Sequence, residues 1–331
     1  MQTLYSCIHY WLVEHPSISQ FEWKQGHNLG SSLLFPIVSI FMYLSLTLFS
    51  VHFSQHLHKL STTTLHRITA VHSLILCLLS FIMLVGCSLS VIHQMPHNDL
   101  KWLFCFPANH TLPRGPLYFW ANVFYLSKII EFIDTFLIIL STSRSRRLTF
   151  LHVYHHAMTP IIFYLAICNA FSTVHFGVIT NTFVHVIMYG YYFFSAIGKK
   201  PTWKRIVTNC QIFQFIFYFL CAAAVIYYHL TTEIGCSGCL GTLFCNLTFN
   251  TSLLLLFLDF HFKNYSNNII KDREHKLHRF KSNIWLLGSG TAVSGSLFKN
   301  KELAVKKYSQ LITAKIPSYS YLATEHKLHA G

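Results

Sequence analysis

The 331-residue chain is 53% hydrophobic, 16% aromatic and only 11% charged, with a formal net charge of +14 and a mean hydropathy of +0.42. Soluble domains carry about 25% charged residues, so this composition excludes an ordinary water-soluble fold. Runs of about 20 apolar residues can each cross a bilayer.

Seven spans are expected in chain order, at 31–53, 67–92, 116–140, 150–170, 174–196, 206–230 and 237–262. They define an all-α polytopic membrane protein. Residues 1–30 precede the spans without the basic start and cleavage site of a signal peptide, so the first span is expected to insert uncleaved. The connections after the first, third and fifth spans hold Lys59 and Arg67, then Arg144, Arg146 and Arg147, then Lys199, Lys200, Lys204 and Arg205. Twelve more basic residues follow residue 262, which puts 21 of the 25 Lys and Arg on one side. The other side has Lys24, Lys101 and Arg114, while Lys128 lies inside a span. Cytosolic loops collect Lys and Arg, so the basic loops and tail read as cytosolic and the N-terminus as lumenal. That asymmetry accounts for much of the positive charge without any nucleic acid. The 263–331 tail is basic, Ser-rich and patternless, and reads as a mostly disordered cytosolic extension.

Ten cysteines are scattered without paired CxxC units. Cys77, Cys87, Cys168, Cys210 and Cys221 fall in spans and read as small packing residues. Cys105 in one lumenal loop has Cys236 and Cys239 in another as alternative disulfide partners, and sequence does not choose between them. Asn109 opens a lumenal glycosylation sequon. The sequons at Asn246 and Asn250 lie in a span and are expected to stay unmodified.

The third span carries Lys128, Glu131, Asp134 and Thr135, and a charge at the bilayer centre costs about 2.5–3.5 kcal/mol. At 100° per residue the four share one stripe, turned toward other helices rather than lipid. Lys128 and Glu131, three apart, can neutralise each other, so a structural ion pair is one reading. The fourth span adds His152, His155 and His156 on one face. The fifth adds Asn181, His185, Met188, Tyr189 and Tyr192, and the sixth Thr208, Gln211 and Gln214. A lone intramembrane histidine is commonly a packing residue, but four consecutive polar stripes imply one shared cavity. Its histidines fall near the cytosolic surface, ringed by Arg144, Arg146, Arg147, Lys199, Lys200, Lys204 and Arg205. A multiply anionic substrate with an apolar tail suits such an opening.

Histidine boxes also bind two irons in membrane desaturases and hydroxylases, through neutral imidazoles. His52 and His56, with His58 just beyond, offer a candidate first box. A second HxxHH is missing, since His275 and His278 make only HxxH. A seven-span lipid receptor or transporter is the non-enzymatic alternative.

The order of the motifs decides among these. KIIEFIDT (128–135), HVYHH (152–156), NTFVHVIMYGYY (181–192) and TNCQIFQF (208–215) resemble the four signatures of the ELO family of fatty acid elongases, with KxxExxDT, HxxHH, NxxVHxxMYxYY and TxxQxxQ intact. The resemblance covers roughly 30–265. It implies seven spans in the endoplasmic reticulum membrane, a lumenal N-terminus, a cytosolic C-terminus, and six helices around an acyl tunnel. It implies a very-long-chain 3-oxoacyl-CoA synthase, which joins acyl-CoA to malonyl-CoA with loss of CO2 and yields 3-oxoacyl-CoA two carbons longer. Malonyl-CoA and acyl-CoA are then substrates, and no cofactor or metal is expected. The implied partners are membrane lipids and the ketoacyl-CoA reductase, dehydratase and enoyl reductase of the cycle, with a second copy of the chain as a further candidate.

No cysteine lies on the polar faces, so an acyl-imidazole is the expected covalent form. His155 is the expected nucleophile, His185 the group that positions or exchanges protons, and His152 and His156 the residues that orient the site and stabilise oxyanions. Lys128, Glu131, Asp134, Asn181, Tyr189, Tyr192, Gln211 and Gln214 are expected to hold the imidazoles and thioester, with Lys199, Lys204 and Arg205 facing coenzyme A phosphates. Arg147 stands where animal elongases of polyunsaturated chains carry Gln. RRLTFLHVYHHA, YYFFSAIGKK and CSGCLGTLFC look more like fungal elongases of saturated and monounsaturated chains, which serve sphingolipid synthesis. Leu328 and His329 occupy the positions of the dilysine signal that ends many relatives.

Overall fold

The computed structural model describes residues 2–53, 61–97, 99–108, 110–141, 148–238, 240–263 and 279. Arg144, Arg146, Arg147, Asn109, Cys239, His56, His58, His275, His278 and, residue 279 apart, the tail beyond 263 expected to be disordered lie outside the described residues. The chain separates into a unit at 1–258 and a second at 259–331.

Among the described residues the secondary structure is helical, with two isolated β-bridges and no strand. α1 (Gln2–His9) runs into a π-helical turn at Tyr10–Glu14, followed by the short α2 (Pro16–Ser19). The long helices are α3 (Leu34–His52), α4 (Thr62–Gln94), α5 (Pro116–Ile130), α6 (Phe132–Ile139), α7 (Phe150–Cys168), α8 (Val174–Ala196), α9 (Lys204–Thr231) and α10 (Leu240–His261). Their starts follow local chemistry. Ser61 Oγ accepts from Thr64 N at 3.2 Å and Thr149 Oγ1 from His152 N at 3.3 Å, the hydroxyl caps expected at helix N-termini. Pro116 opens α5 behind Gly115, whose φ of 85° suits glycine.

Five helices, α3, α4, α7, α9 and α10, are long and apolar enough to cross a membrane. The other two expected spans fall short for visible reasons. The run 116–139 is broken at Glu131 into helices of 15 and 8 residues, bridged by Asp134 N to Glu131 O at 3.0 Å. Lys128 thus ends one helix, Glu131 sits at the break, and Asp134 and Thr135 belong to the next helix, rather than all four forming one continuous stripe. α8 has 23 residues, but His175, Asn181, His185 and several tyrosines dilute its apolar character.

α4 packs along α8 and against α5, while α7 lies between α5 and α3. Gly86 of α4 permits a close approach to α5, since a Cβ there would run into the Trp120 ring. Buried Met83, Cys87, Phe124, Tyr125, Ile167 and Val178 form the main core of α4, α5, α7 and α8. A second cluster of Ile162, Phe215, Phe249 and Leu253 joins α7, α9 and α10. Large apolar side chains also face outward, including Phe41 and Phe49 on α3, Ile75 and Leu78 on α4, and Phe213 and Leu220 on α9. Water would not tolerate so broad an apolar exterior, but lipid does.

One end of this body is covalently tied. Cys105 and Cys236 form a disulfide across 131 residues, which selects one of the two pairings left open by sequence. Around it, Ser237 N donates to Phe106 O at 2.7 Å and Ser172 Oγ to Ser237 O at 2.8 Å. A 730 Å³ cavity opens at the same end, lined by Gln20, Glu22, His93, Gln94, Arg114 and Tyr118 among others.

Candidate functional site

At the opposite end, the polar residues of α5, α6, α7 and α8 converge. The Lys128 and Glu131 side chains are each only 2% exposed and lie 2.6 Å apart. Burial without that partner would be prohibitive, because removing one member of a buried pair costs about 3–5 kcal/mol. Lys128 Nζ also donates to Asn181 Oδ1 at 3.0 Å and lies 3.3 Å from His185 Nδ1, with the Phe124 ring 4.2 Å away. His185 Nδ1 is in turn 3.2 Å from Glu131 Oε1. Glu131 Oε2 is buried without a hydrogen-bond partner among the described residues, leaving one acceptor uncommitted inside the bundle.

Asp134 anchors a second group. Tyr189 OH donates to its Oδ2 at 2.6 Å, and His72 Nε2 of α4 lies 3.0 Å from its Oδ1 in an ion-pair contact rather than an aligned hydrogen bond. Thr135 Oγ1 links a third, bonding Tyr43 OH of α3 and His152 Nε2, each at 3.0 Å. The break at Glu131 separates the Lys128–Glu131 pair from Asp134 and Thr135, and each half meets its own partners.

The histidine box lies in the first two turns of α7. His152 and His156, one turn apart, have ring centroids 4.4 Å apart. His155 stands 5.4 Å from His156 with the ring planes at 79°. Both His155 and His156 lie within electrostatic reach of Lys128 and Glu131, and His155 also of His185. Pro160 sits four residues beyond His156 and has no N–H, so the His156 carbonyl loses its helical partner. Thr159 Oγ1 donates to the His155 carbonyl at 2.6 Å beside that gap.

The remaining sequence-selected residues are less central. Tyr192 has its ring 6.0 Å from Tyr189. Gln211 Nε2 reaches Met188 Sδ at 3.7 Å, and Gln214 is partly buried on the same helix. Lys199, in the link after α8, and Lys204 and Arg205, which open α9, are exposed, with Lys199 over the Phe194 ring at 5.3 Å. Two participants were not singled out from sequence, His72 and Tyr43. His72 had one available signal, since the partly buried Asp134 calls for a donor from some neighbouring helix. Tyr43 had none.

A helical body with a lipid-compatible exterior that encloses clustered imidazoles, a Lys–Glu pair and a carboxylate-bound tyrosine defines a multi-pass membrane protein with a polar, titratable cluster inside its bundle. Residues 28–274 match the family described as ELO: GNS1/SUR4 family, so the chain belongs to that family. Among its relatives, fatty acid elongase A of Dictyostelium discoideum is 34% identical over 243 residues, covering 73% of this chain and 85% of the relative. Fatty acid elongase 3-like of Arabidopsis thaliana is 30% identical over 277 residues, covering 80% and 93%. Very long chain fatty acid elongase 5 of Mus musculus is 34% identical over 194 residues, covering 56% and 60%.

Proposed function

We propose that the chain is the condensing enzyme of fatty acid elongation, acting on a long-chain acyl-CoA and malonyl-CoA. The observation that carries this reading is the contact of Lys128 with Glu131, Asn181 and His185, beside the His152–His155–His156 face. Residues from three of the four elongase signatures thereby meet in one buried place, and the family match and relatives support the same chemistry. Seven crossings, with α5–α6 and α8 completing the five apolar spans, form the proposed topology. In it the histidine end faces the cytosol, the disulfide end faces the lumen of the endoplasmic reticulum, and an acyl tunnel runs between.

In the proposed mechanism a His155 ring nitrogen attacks the thioester carbonyl. The C–S bond breaks, coenzyme A leaves as thiol with the proton released from the imidazole, and an acyl-imidazole remains. Malonyl-CoA then loses CO2, and its carbanion attacks the acyl carbon. The C–N bond to His155 breaks as 3-oxoacyl-CoA forms, and the departing ring nitrogen takes up one proton from solvent, relayed by His185, which regenerates the imidazole. Glu131 orients His185 by accepting its Nδ1–H, which leaves Nε2 to exchange protons. His152 and His156 stabilise the oxyanions. Exposed Lys199, Lys204 and Arg205 receive the coenzyme A phosphates. No metal step is required. Saturated or monounsaturated chains destined for sphingolipids are the proposed substrates, and the three remaining enzymes of the cycle the proposed partners.

The test supplies purified protein with malonyl-CoA and acyl-CoAs graded in length and unsaturation, without reductant. CO2 and a 3-oxoacyl-CoA two carbons longer are expected together. Absence of CO2 release with every acyl-CoA would overturn the reading.

A further inference from the structure

A second cluster of metal-ligating side chains lies far from the histidine box, at the disulfide end. In an ordinary α-helix, residues five apart point about 140° away from each other. The π turn after α1 changes that register. His15 N bonds Tyr10 O, five residues back, at 2.8 Å, so side chains five apart come close to one face. Such turns recur at functional sites. His9 and Glu14 are five apart, and His9 Nδ1 lies 3.2 Å from Glu14 Oε1. His93, in the last turn of α4, brings its ring centroid within 5.3 Å of that of His9.

We propose that His9, Glu14 and His93 form a Zn2+-class metal site that staples the N-terminal helix to the end of α4. One ligand atom from each residue lies within 4.8 Å of the others, and among the described residues this is the one such group of three or more histidine, cysteine or acidic side chains. Two imidazoles and a carboxylate are a zinc donor set, with bonds of about 2.0–2.2 Å. Drawing the ligands onto one ion requires only small movements of side chains at the surface. Glu14 is half exposed and free to adjust, while His9 is largely buried and fixes the position. His93 also lines the 730 Å³ cavity, which gives ions a route in and room for water at the remaining coordination position. The family match begins at residue 28, so His9 and Glu14 belong to a segment outside it. The site's role is mechanical and separate from the condensation chemistry. It joins that segment to the bundle where Trp120 Nε1 already donates to Leu12 O at 2.9 Å.

The experiment uses full-length protein in detergent, purified without a histidine tag. Zinc is titrated against a chromophoric chelator for the wild type and for Glu14→Gln and His93→Asn. The wild type is expected to hold one zinc per chain that both substitutions weaken by more than about 100-fold, beyond the roughly 10–100-fold that losing a residue which only orients a ligand would cost. Zinc should also slow chymotryptic cleavage after Tyr10 and Trp11 in the wild type and leave both variants unaffected. Glu14→Gln changes a half-exposed side chain, so its gel-filtration profile should match the wild type and exclude misfolding as the cause. Equal zinc affinity in all three proteins would assign binding to other histidines and overturn the site. So would tight binding with unchanged cleavage, which would remove the stapling role.

Discussion

His175 and His185 occupy one helix, about 15 Å apart along its axis, and both are buried, yet their surroundings have little in common. His185 sits among Lys128, Glu131 and Tyr189, within hydrogen-bonding distance of two charges. His175 is packed among the rings of Trp102, Phe106 and Phe176, and neither of its nitrogens makes a well-formed hydrogen bond among the described residues. The first lies at the end where four helices bring polar side chains together. The second lies at the end closed by the Cys105–Cys236 disulfide. A buried imidazole therefore acquires chemistry from its partners, and burial alone supplies only packing.

The same substitution at the two positions separates these roles. His185→Leu removes the proposed proton-exchanging group and leaves the Lys128–Glu131 pair short of a partner. Turnover is expected to fall by about 10²–10⁴-fold, the usual weight of a general acid–base group. Steady-state assays on material with a wild-type gel-filtration profile measure it, and a loss below tenfold would place His185 with His175 as a packing residue.

Opening the disulfide end should act on stability instead. The Cys105→Ser/Cys236→Ser double variant is expected to lose about 2–4 kcal/mol of stability, read as an earlier thermal unfolding midpoint. Its initial rate per folded molecule should be unchanged, because the histidine site lies at the other end of the bundle. A large fall in rate with an unchanged midpoint would show that the two ends are coupled. The smallest effect belongs to His175→Leu, a swap of similar volume whose expected cost is under about 1.5 kcal/mol. Turnover should be retained, and loss of activity there would give the imidazole at the disulfide end a function that its ring-lined surroundings do not suggest.

The long helices were legible because lipid demands long apolar runs, and the expected spans at 31–53, 150–170 and 174–196 fall on Leu34–His52, Phe150–Cys168 and Val174–Ala196. The polar faces of 152–156 and 181–192 were legible from helical spacing alone. The break at Glu131 was not, because neither glycine nor proline marks it and the backbone turns at a buried ion pair instead. His72 and Tyr43 were hidden for a related reason. Each lies on a largely apolar helix, and its particular partner is visible only when α4 meets Asp134 and α3 meets Thr135. The disulfide partner of Cys105 needed the third dimension, and the convergence of His9 with Glu14 needed the π turn, which no residue pattern announces.

The central claim is that the imidazole cluster of α7 and α8 carries acyl transfer, with His155 as the group acylated. It is tested most directly by offering purified protein acyl-CoA alone and following free coenzyme A together with the mass of the His155 peptide. The account predicts a burst of one coenzyme A per active site with an acyl adduct on His155, both lost in His155→Ala, since acylation and condensation are separate half-reactions. Release of coenzyme A only after malonyl-CoA is added, with His155 unmodified, would contradict it. The carbanion would then attack the bound thioester directly, and the histidines would serve only to stabilise charge.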